Sequence, residues 1–210
     1  MYASLLADAR FHELLLDIDR KIADAARAEG CGRCGGCVHS ARYPRKPHGR
    51  PKCLDGRLGP DHDRRFSFCC AVDGCRARKT PASVRFLGPR VFIATVVVLI
   101  AMLRRGASDA RLAGLEHVVS LDRHTVERWR RWWRDTFTAT PFWRIARAGF
   151  MPPVAHERLP ASLLDRFDVM PEAGVQVVAD EERERLVALL RFIAPITGGM
   201  SGELTNTHAR

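Results

Sequence analysis

Apolar and polar positions follow a helical period at the start of the chain. From Ser4 to about Glu29 apolar residues recur at intervals near three and four, and charged residues fill the gaps. This spacing places the apolar side chains on one face of a helix. Gly30 predicts where the helix ends. The apolar positions are Leu5, Phe11, Leu14, Leu15, Ile18, Ile22 and Ala25.

The helical period is lost between Gly30 and about Leu87, where Gly, Pro, Cys and Arg dominate. Proline and glycine recur from Pro44 to Asp63, which predicts a long loop. So few large apolar residues cannot build a core alone, so we expect a small β-rich unit held together by a metal. The strand-like pieces are Val38–Tyr43, Phe66–Cys70 and Arg76–Phe86.

A helical pattern returns in the second half. Pro89–Arg105 has a wide apolar face, which predicts a buried helix with Pro89 in its first turn. Two further segments, Asp109–His117 and Asp122–Phe137, are joined by the short stretch Val118–Leu121. Their length and tight joint are typical of a helix-turn-helix. The fold class predicted is therefore mainly α with a small β-rich zinc ribbon, α+β overall.

The same pattern divides the chain into five regions. A final helix is expected over Asp180–Ile193, and the polar stretch Ser201–Arg210 is expected to be disordered. The regions are an N-terminal amphipathic helix (1–29), a zinc ribbon with a basic Pro/Gly-rich insert (30–88), a buried helix plus helix-turn-helix (89–140), a C-terminal helical extension (141–200) and a tail (201–210).

The charge of the chain is strongly uneven. The 210 residues carry a net charge of +10. Between Ala41 and Arg90 thirteen lysines and arginines face only four aspartates, a local excess of +9 that is nearly the whole imbalance. Because this basic stretch lies among the cysteines, we expect a polyanionic partner rather than a merely solubilising surface.

The number of cysteines and the length of the apolar runs indicate the cellular compartment of the protein. The seven cysteines are an odd number, and the first twenty residues lack the apolar stretch of a secretory leader. The longest apolar run, Val91–Leu103, has thirteen residues, whereas a membrane span needs about 20. We therefore expect a cytoplasmic protein with metal-bound thiols, no membrane association and no disulfide framework.

The cysteines form two close groups that suit a tetrahedral zinc site. Cys31 and Cys34 are separated by two residues and followed by Gly35, which lets the backbone curl around the sulfurs. Cys70 and Cys75 supply the other two ligands, and the Pro/Gly-rich insert accounts for the long separation between the pairs. Zinc prefers four such ligands, and no His-x-Glu pair accompanies them, so we expect one structural zinc ion.

Other cysteines could replace a ligand. Cys34 with Cys37 is a competing first pair, and Cys69 could take the place of Cys70. Neighbours in a strand point to opposite faces, so only one of Cys69 and Cys70 should bind the metal. Cys53 is a further alternate, but one zinc ion is favoured over two.

The Asp122–Phe137 helix has two distinct faces. Val126, Trp129 and Trp133 share the face that should pack against the preceding helices. The opposite face carries His124, Arg128 and Arg131, which could read base edges in a major groove. Phosphate contacts are expected from flanking basic residues on this helix and in the ribbon, namely Arg123, Arg130, Arg134, Arg64, Arg65, Arg76, Arg78 and Lys79.

The order of these motifs resembles a known family. A Cys-x-x-Cys-Gly turn precedes Cys-Cys-x4-Cys and Arg76-x-Arg78-Lys79-Thr80-Pro81. An apolar helix and a helix-turn-helix with Thr125-Val126-x-Arg128-Trp129-Arg130 follow. This order resembles the N-terminal zinc-ribbon and helix-turn-helix region of bacterial insertion-sequence transposases. The resemblance covers about Cys31 to Phe137 and implies a ribbon that supports DNA or protein contacts and a helix that binds transposon ends.

The chain departs from that family after Phe137. Such transposases continue into an RNase H-like domain whose three spaced carboxylates hold two metal ions. About seventy residues remain here, and their acidic residues fall in loop-like or helix-surface contexts. We therefore expect no enzymatic activity.

The sequence favours a DNA-binding protein related to transposases, without their catalytic domain. Duplex DNA is the expected partner, and two copies of the helix-turn-helix would enlarge the interface. Two alternatives remain open at this stage. One is an adaptor that binds a transposase or polymerase subunit, and the other is an RNA-binding protein, for which few exposed aromatic residues are available.

Overall fold

The computed structural model describes residues 2–41, 43–44, 54, 57–87, 91–102, 123–167 and 178–198. In this part of the chain the fold is mainly helical with short antiparallel strands, an α+β arrangement. The helices are α1 (Tyr2–Ala7), α2 (Ala9–Ala28), α3 (Ile93–Met102), α4 (Arg123–Arg131), α5 (Pro141–Ala146), α6 (Ala161–Leu164) and α7 (Val178–Ile193). The strands are β1 (Val38–Ser40), β2 (Tyr43–Pro44), β3 (Arg64–Arg65), β4 (Phe68–Cys70), β5 (Arg78–Lys79), β6 (Phe86–Leu87) and β7 (Val91–Phe92).

The N-terminal segment forms two helices where the sequence predicts one. Asp8 interrupts it with an extended backbone (φ −88°, ψ 114°), and its carboxylate accepts a hydrogen bond from the Arg10 amide at 2.9 Å. An aspartate in this position caps the first turn of the following helix. The break is not visible in the sequence, because the apolar pattern continues across it.

The cysteine-rich region contains a small antiparallel sheet. Its strand order is β1-β4-β5, with Val38 opposite Cys70 and Cys69 opposite Arg78. We call residues 31–41 and 64–80 the cysteine module. Its apolar side chains form a cluster with Leu16, Ala23 and Ala26 of α2. The module is therefore completed by a helix from outside the cysteine-rich sequence.

The base of the basic insert is closed by strands. Tyr43 pairs with Arg65 and Pro44 with Arg64, so β2 and β3 bring the two ends of the insert together. A 3-10 helix, Pro60–Asp63, leads into β3. The predicted loop from Pro44 to Asp63 therefore contains regular structure at its C-terminal end. Residues 45–53 lie outside the described part of the chain.

The predicted apolar helix begins later than the sequence suggests. Val91 and Phe92 are extended and pair with Leu87 and Phe86, so the helix starts only at Ile93. The Phe86 and Phe92 rings stack with centroids 5.0 Å apart. Strand pairing and ring stacking therefore favour an extended backbone at Val91 and Phe92 over the helix that the apolar pattern predicts. Pro89 lies outside the described residues and precedes the first turn of α3.

A larger core lies among the helices. It contains buried residues of α1, α2, α3, α4, α6 and α7, and aromatic rings fill its centre. α4 continues as a π-helical turn, Trp132–Phe137, in which Trp133 and Phe137 are completely buried. Trp143 of α5 is also fully buried, with its ring centroid 4.9 Å from that of Phe137.

A buried ion pair connects α2 to the segment that follows the cysteine module. The Arg85 Nε donates to the Asp19 carboxylate at 2.8 Å, and both side chains are at most 3% exposed. Asp19 also accepts from the Ser83 hydroxyl at 2.6 Å and the Val84 amide at 2.7 Å. Burial lowers the pKa of Arg85, and the Asp19 carboxylate opposes that shift. In the sequence Arg85 is distinguished only as one of the cations of the basic stretch.

Several predictions of the sequence lie outside the described part of the chain. They are the first helix of the helix-turn-helix, Asp109–His117, its joint Val118–Leu121, the alternate ligand Cys53 and the tail Ser201–Arg210. The second helix, predicted from Asp122, is described from Arg123 onward, and its predicted end at Phe137 coincides with the end of the π-helical turn. Across the described helices, none combines the length and apolar character that crossing a bilayer requires.

Candidate metal centre and basic surface

The first cysteine turn is shaped by backbone hydrogen bonds and two glycines. The Gly35 amide donates to the Cys31 carbonyl at 2.8 Å, and the Cys31 amide donates to the Gly36 carbonyl at 2.9 Å. Gly30 and Gly35 adopt φ values of +72° and +70°, which L-residues with a side chain rarely adopt. The turn can close around Cys31 and Cys34 because glycine stands at both positions.

The second cysteine turn is built in a similar way. The amides of Cys75 and Arg76 both donate to the Val72 carbonyl, at 3.1 and 3.4 Å. Gly74 has φ +82°, and Arg76 has φ +46°, a left-handed conformation in a residue with a side chain. Arg76 follows the second cysteine of its pair, as Gly35 does in the first turn. Both turns therefore place a residue with positive φ directly after their second cysteine, although only the first turn has glycine there.

The two turns bring four thiols together. The Sγ atoms of Cys31, Cys34, Cys70 and Cys75 all lie within 4.8 Å of one another. The Cys31–Cys75 and Cys34–Cys70 sulfurs are 3.7 and 3.5 Å apart. A zinc ion with Zn–S bonds of about 2.3 Å places its sulfurs about 3.8 Å apart at tetrahedral angles. A disulfide would need about 2.05 Å. The arrangement fits a four-thiolate metal site.

The surroundings of the sulfurs favour negative charge on only part of the cluster. The Arg33 amide, 3.4 Å from Cys31 Sγ, and then the Cys34 amide lower the pKa of Cys31 to about 6. The Val72 amide lowers the pKa of Cys70, but burial and the neighbouring thiols outweigh it and raise that pKa to about 12. The Ala77 amide lowers the pKa of Cys75, but the neighbouring Cys34 and Cys31 thiols and burial outweigh it, so that pKa is raised as well. A divalent cation between the sulfurs would allow all four to ionise.

The described alternates do not join this cluster. Cys37 is exposed, and Cys69 lies on the opposite face of β4 from Cys70, where its Sγ donates to the Arg76 carbonyl at 3.5 Å. The alternation of side chains along a strand explains why only Cys70 points to the other sulfurs. The structure thus brings together the four cysteines that the sequence selects, while metal binding itself stays a prediction.

Two glycines of the first turn give a matched test of its geometry. Gly30→Ala should destabilise the protein by about 2 kcal/mol, because φ is +72° and a Cβ would lie 3.1 Å from the Gly35 and Gly36 carbonyl oxygens. Gly32→Ala meets no heavy atom within 4 Å and should change stability by less than about 0.5 kcal/mol. Urea unfolding of both variants measures the difference. Equal midpoints would contradict this account of the turn.

The α4 helix separates an apolar face from a basic one. Val126, Trp129 and Trp133 are at most 4% exposed, as the helical wheel predicts. His124, Arg128 and Arg131 lie exposed on the other side. Among the flanking cations, Arg123 and Arg134 are exposed, while Arg130 is half-buried and 3.5 Å from Glu127.

The basic residues of the cysteine module divide into two groups. Arg64, Arg76 and Arg78 are exposed and could reach a phosphate. Arg65 is a correction to the sequence analysis, because it is 4% exposed and its guanidinium donates to the Phe86, Pro81 and Thr197 carbonyls. It stabilises the fold and is not accessible to DNA.

Lys79 is a second correction. Its Nζ donates to the Ala26 carbonyl at 2.9 Å and the Gly30 carbonyl at 3.3 Å, and it pairs with Glu29 at 2.8 Å. An ammonium group has three protons, so these three acceptors use all of them. Lys79 therefore caps the C-terminal end of α2 instead of facing a nucleic acid.

The fold and site define a mainly helical α+β protein with a four-cysteine cluster that could hold a metal ion. Comparison with protein-family models, curated proteins and solved structures finds no match to this chain.

Proposed function

We propose that this protein is a zinc-dependent, transposase-related DNA-binding protein that contacts duplex DNA through α4 and the exposed cations of the cysteine module. It would bind its target without acting as an enzyme. The proposal continues the resemblance of the sequence to the N-terminal region of insertion-sequence transposases.

The division of α4 into two faces is the observation that carries the DNA-binding proposal. Its apolar side is held in the core by Val126, Trp129 and Trp133, so its outer side has a fixed orientation. That outer side presents His124 and Arg128, the latter with its guanidinium 3.2 Å from the Thr125 hydroxyl. A rigid helix with outward arginines suits a major groove, where arginine can form two hydrogen bonds to guanine.

The metal would act as a structural element. Four thiols leave no open position for water, which is the composition of structural rather than catalytic zinc sites. The ion would hold the two cysteine turns together and thereby position Arg64, Arg76 and Arg78 near a duplex. Amide groups directed at Cys31 and Cys70 fit this role, because they stabilise the negative charge of bound thiolates.

Substitution on the outer face of α4 tests the proposal. Arg128→Gln should weaken binding to a selected preferred duplex by about 1–3 kcal/mol and relax base preference at one position, because a bidentate contact is lost. Fluorescence anisotropy with the preferred and a scrambled duplex measures both effects.

Arg191→Gln supplies the control for that experiment. Arg191 is exposed on α7 and does not belong to the basic face of α4, so the same charge change should leave base preference unaltered. If Arg128→Gln discriminated between the two duplexes as well as the wild type does, α4 would not be the reading element.

A further inference from the structure

An arginine-rich pocket lies beside α4. Its volume is about 460 Å³, and it is formed between α4 with its π-helical continuation and the 3-10 turn His156–Arg158. Four arginines, two glutamates and one histidine line it, and Leu159 is the only apolar residue in the lining. No motif in the sequence points to this part of the C-terminal extension.

The chemistry of the lining points to an anionic ligand. Pockets for small organic ligands have volumes of roughly 300–1,000 Å³ but are lined mainly by apolar and aromatic side chains. The volume of this pocket lies in that range, but its lining is mainly charged instead of apolar. Guanidinium groups suit phosphate because their planar set of N–H donors matches its oxygens and their charge does not depend on pH.

The glutamates do not neutralise the pocket. Within the lining, Glu127 and Glu157 leave two of the four arginine charges in excess, while two carboxylates just outside it, Asp135 and Asp165, pair with Arg134 and Arg158. Glu127 lies 3.5 Å from Arg130, and Arg134 pairs with Asp135 outside the pocket lining at 2.8 Å. The hydrogen bond from Arg134 and, in smaller part, the charge of the exposed Arg131 lower the pKa of Asp135, so Arg131 also lies near that carboxylate.

Arg158 faces the pocket from the opposite side. Its guanidinium lies 3.7 Å from the Asp165 carboxylate, and both side chains are more than half exposed. Exposed ion pairs of this kind contribute only about 0–1 kcal/mol, so a phosphate group can replace the carboxylate.

The turn that carries Arg158 is fixed to the core. The Ser162 hydroxyl donates to the Ala155 carbonyl at 2.6 Å, and Leu159 is buried. The His156 ring lies 5.7 Å from the ring of Trp143, which in turn packs against Phe137 at the end of the π-helical turn. The two sides of the pocket are thus held at a fixed separation before any ligand binds, which lowers the entropic cost of binding.

We propose that this pocket binds one phosphate group of the DNA backbone between Arg131 on α4 and Arg158 on the turn. This inference rests on the proposed function. It gives the C-terminal extension a direct part in DNA binding and assigns Arg131 to a phosphate instead of a base edge. The bound phosphate would fix the position of α4 along the groove, since backbone contacts set register and orientation.

Three variants and one control test the pocket. Arg158→Gln and Arg131→Gln should each weaken duplex binding about tenfold at 50 mM salt. The double variant should be weakened by less than the product of the two, because both side chains contact the same phosphate. The double variant should also lose about 3.5-fold less affinity than the wild type between 50 and 200 mM salt, the share of one phosphate contact. Arg191→Gln should behave as the wild type.

A second arm uses inorganic pyrophosphate as the probe, measured by calorimetry on the wild type, Arg158→Gln and Arg191→Gln. Binding that is lost only in Arg158→Gln supports a phosphate pocket. If the wild type binds duplex DNA and Arg158→Gln matches it at both salt concentrations, the pocket inference is overturned and the proposed function stands. If the wild type binds pyrophosphate through Arg158 but does not bind duplex DNA, the pocket binds a phosphate that does not come from the DNA backbone. That result would refute both this inference and the proposed function.

Discussion

Cys34→Ser or Cys75→Ser should abolish stoichiometric zinc binding and unfold the cysteine module. Both sulfurs belong to the four-thiol cluster, and a structural zinc site supplies on the order of 10 kcal/mol of folding free energy. The module has few large apolar residues of its own, so its cluster with α2 cannot replace the metal. The helical core has a separate and larger cluster and should keep most of its helical circular dichroism.

The neighbouring cysteines make the test specific. Cys37→Ser and Cys69→Ser remove thiols that lie outside the cluster, so these variants should retain one zinc per chain and the unfolding midpoint of the wild type. Zinc content by mass spectrometry and protease resistance of the module are the two measurements. The ligand assignment fails if the two pairs of variants contain equal amounts of zinc.

Asp19→Asn should destabilise the protein by about 3–5 kcal/mol. The substitution keeps the size of the side chain but removes the charge that compensates the buried guanidinium of Arg85, 2.8 Å away. The Ser83 hydroxyl and the Val84 amide donate to different oxygens of the carboxylate, and the substitution replaces one of these two acceptors by an NH2 group that can only donate. Guanidinium unfolding monitored by tryptophan fluorescence measures the loss.

Asp17→Asn is the matched control on the same helix. Asp17 pairs with Arg20 at 2.8 Å, but both side chains are about half exposed, so the change should cost less than about 1 kcal/mol. A similar loss of stability in both variants would mean that burial is not the reason why the Asp19–Arg85 pair stabilises the fold.

The four-cysteine cluster was predictable because its signal is local. The Cys31–Cys34 spacing and Gly35 specify a tight turn, and strand alternation separates Cys70 from Cys69. The structure places the selected sulfurs within 4.8 Å of one another. The apolar face of α4 was predictable for the same reason, since three residues at helical spacing define it without reference to the rest of the chain.

Side-chain roles that depend on distant partners could not be predicted. Arg65 and Lys79 look like any other cations of the basic stretch in the sequence. Arg65 binds the carbonyl of Thr197, 132 positions later, and Lys79 caps a helix that ends about 50 positions earlier. Arg85 likewise finds its partner Asp19 on α2. Composition shows that a region is basic, but only the tertiary structure shows which charges remain at the surface.

Element boundaries differed where local hydrogen bonds compete with periodicity. Asp8 divides the N-terminal helix although the apolar pattern runs through it. Val91 and Phe92 pair as a strand although they continue the apolar face of the following helix. In both cases a few hydrogen bonds or ring contacts determine the local backbone conformation. Hydrophobic periodicity reports only a helical preference averaged over many residues.

The most direct test of the proposed function is the affinity of zinc-loaded protein for random-sequence duplex DNA at 50 and 200 mM salt. If α4 and the cysteine module contact about six phosphates, the affinity should fall roughly 10³-fold over this range, because counterions are released on binding. No detectable binding of the metal-loaded protein at 50 mM salt, or an affinity that hardly changes with salt, would contradict the proposal and favour a protein partner.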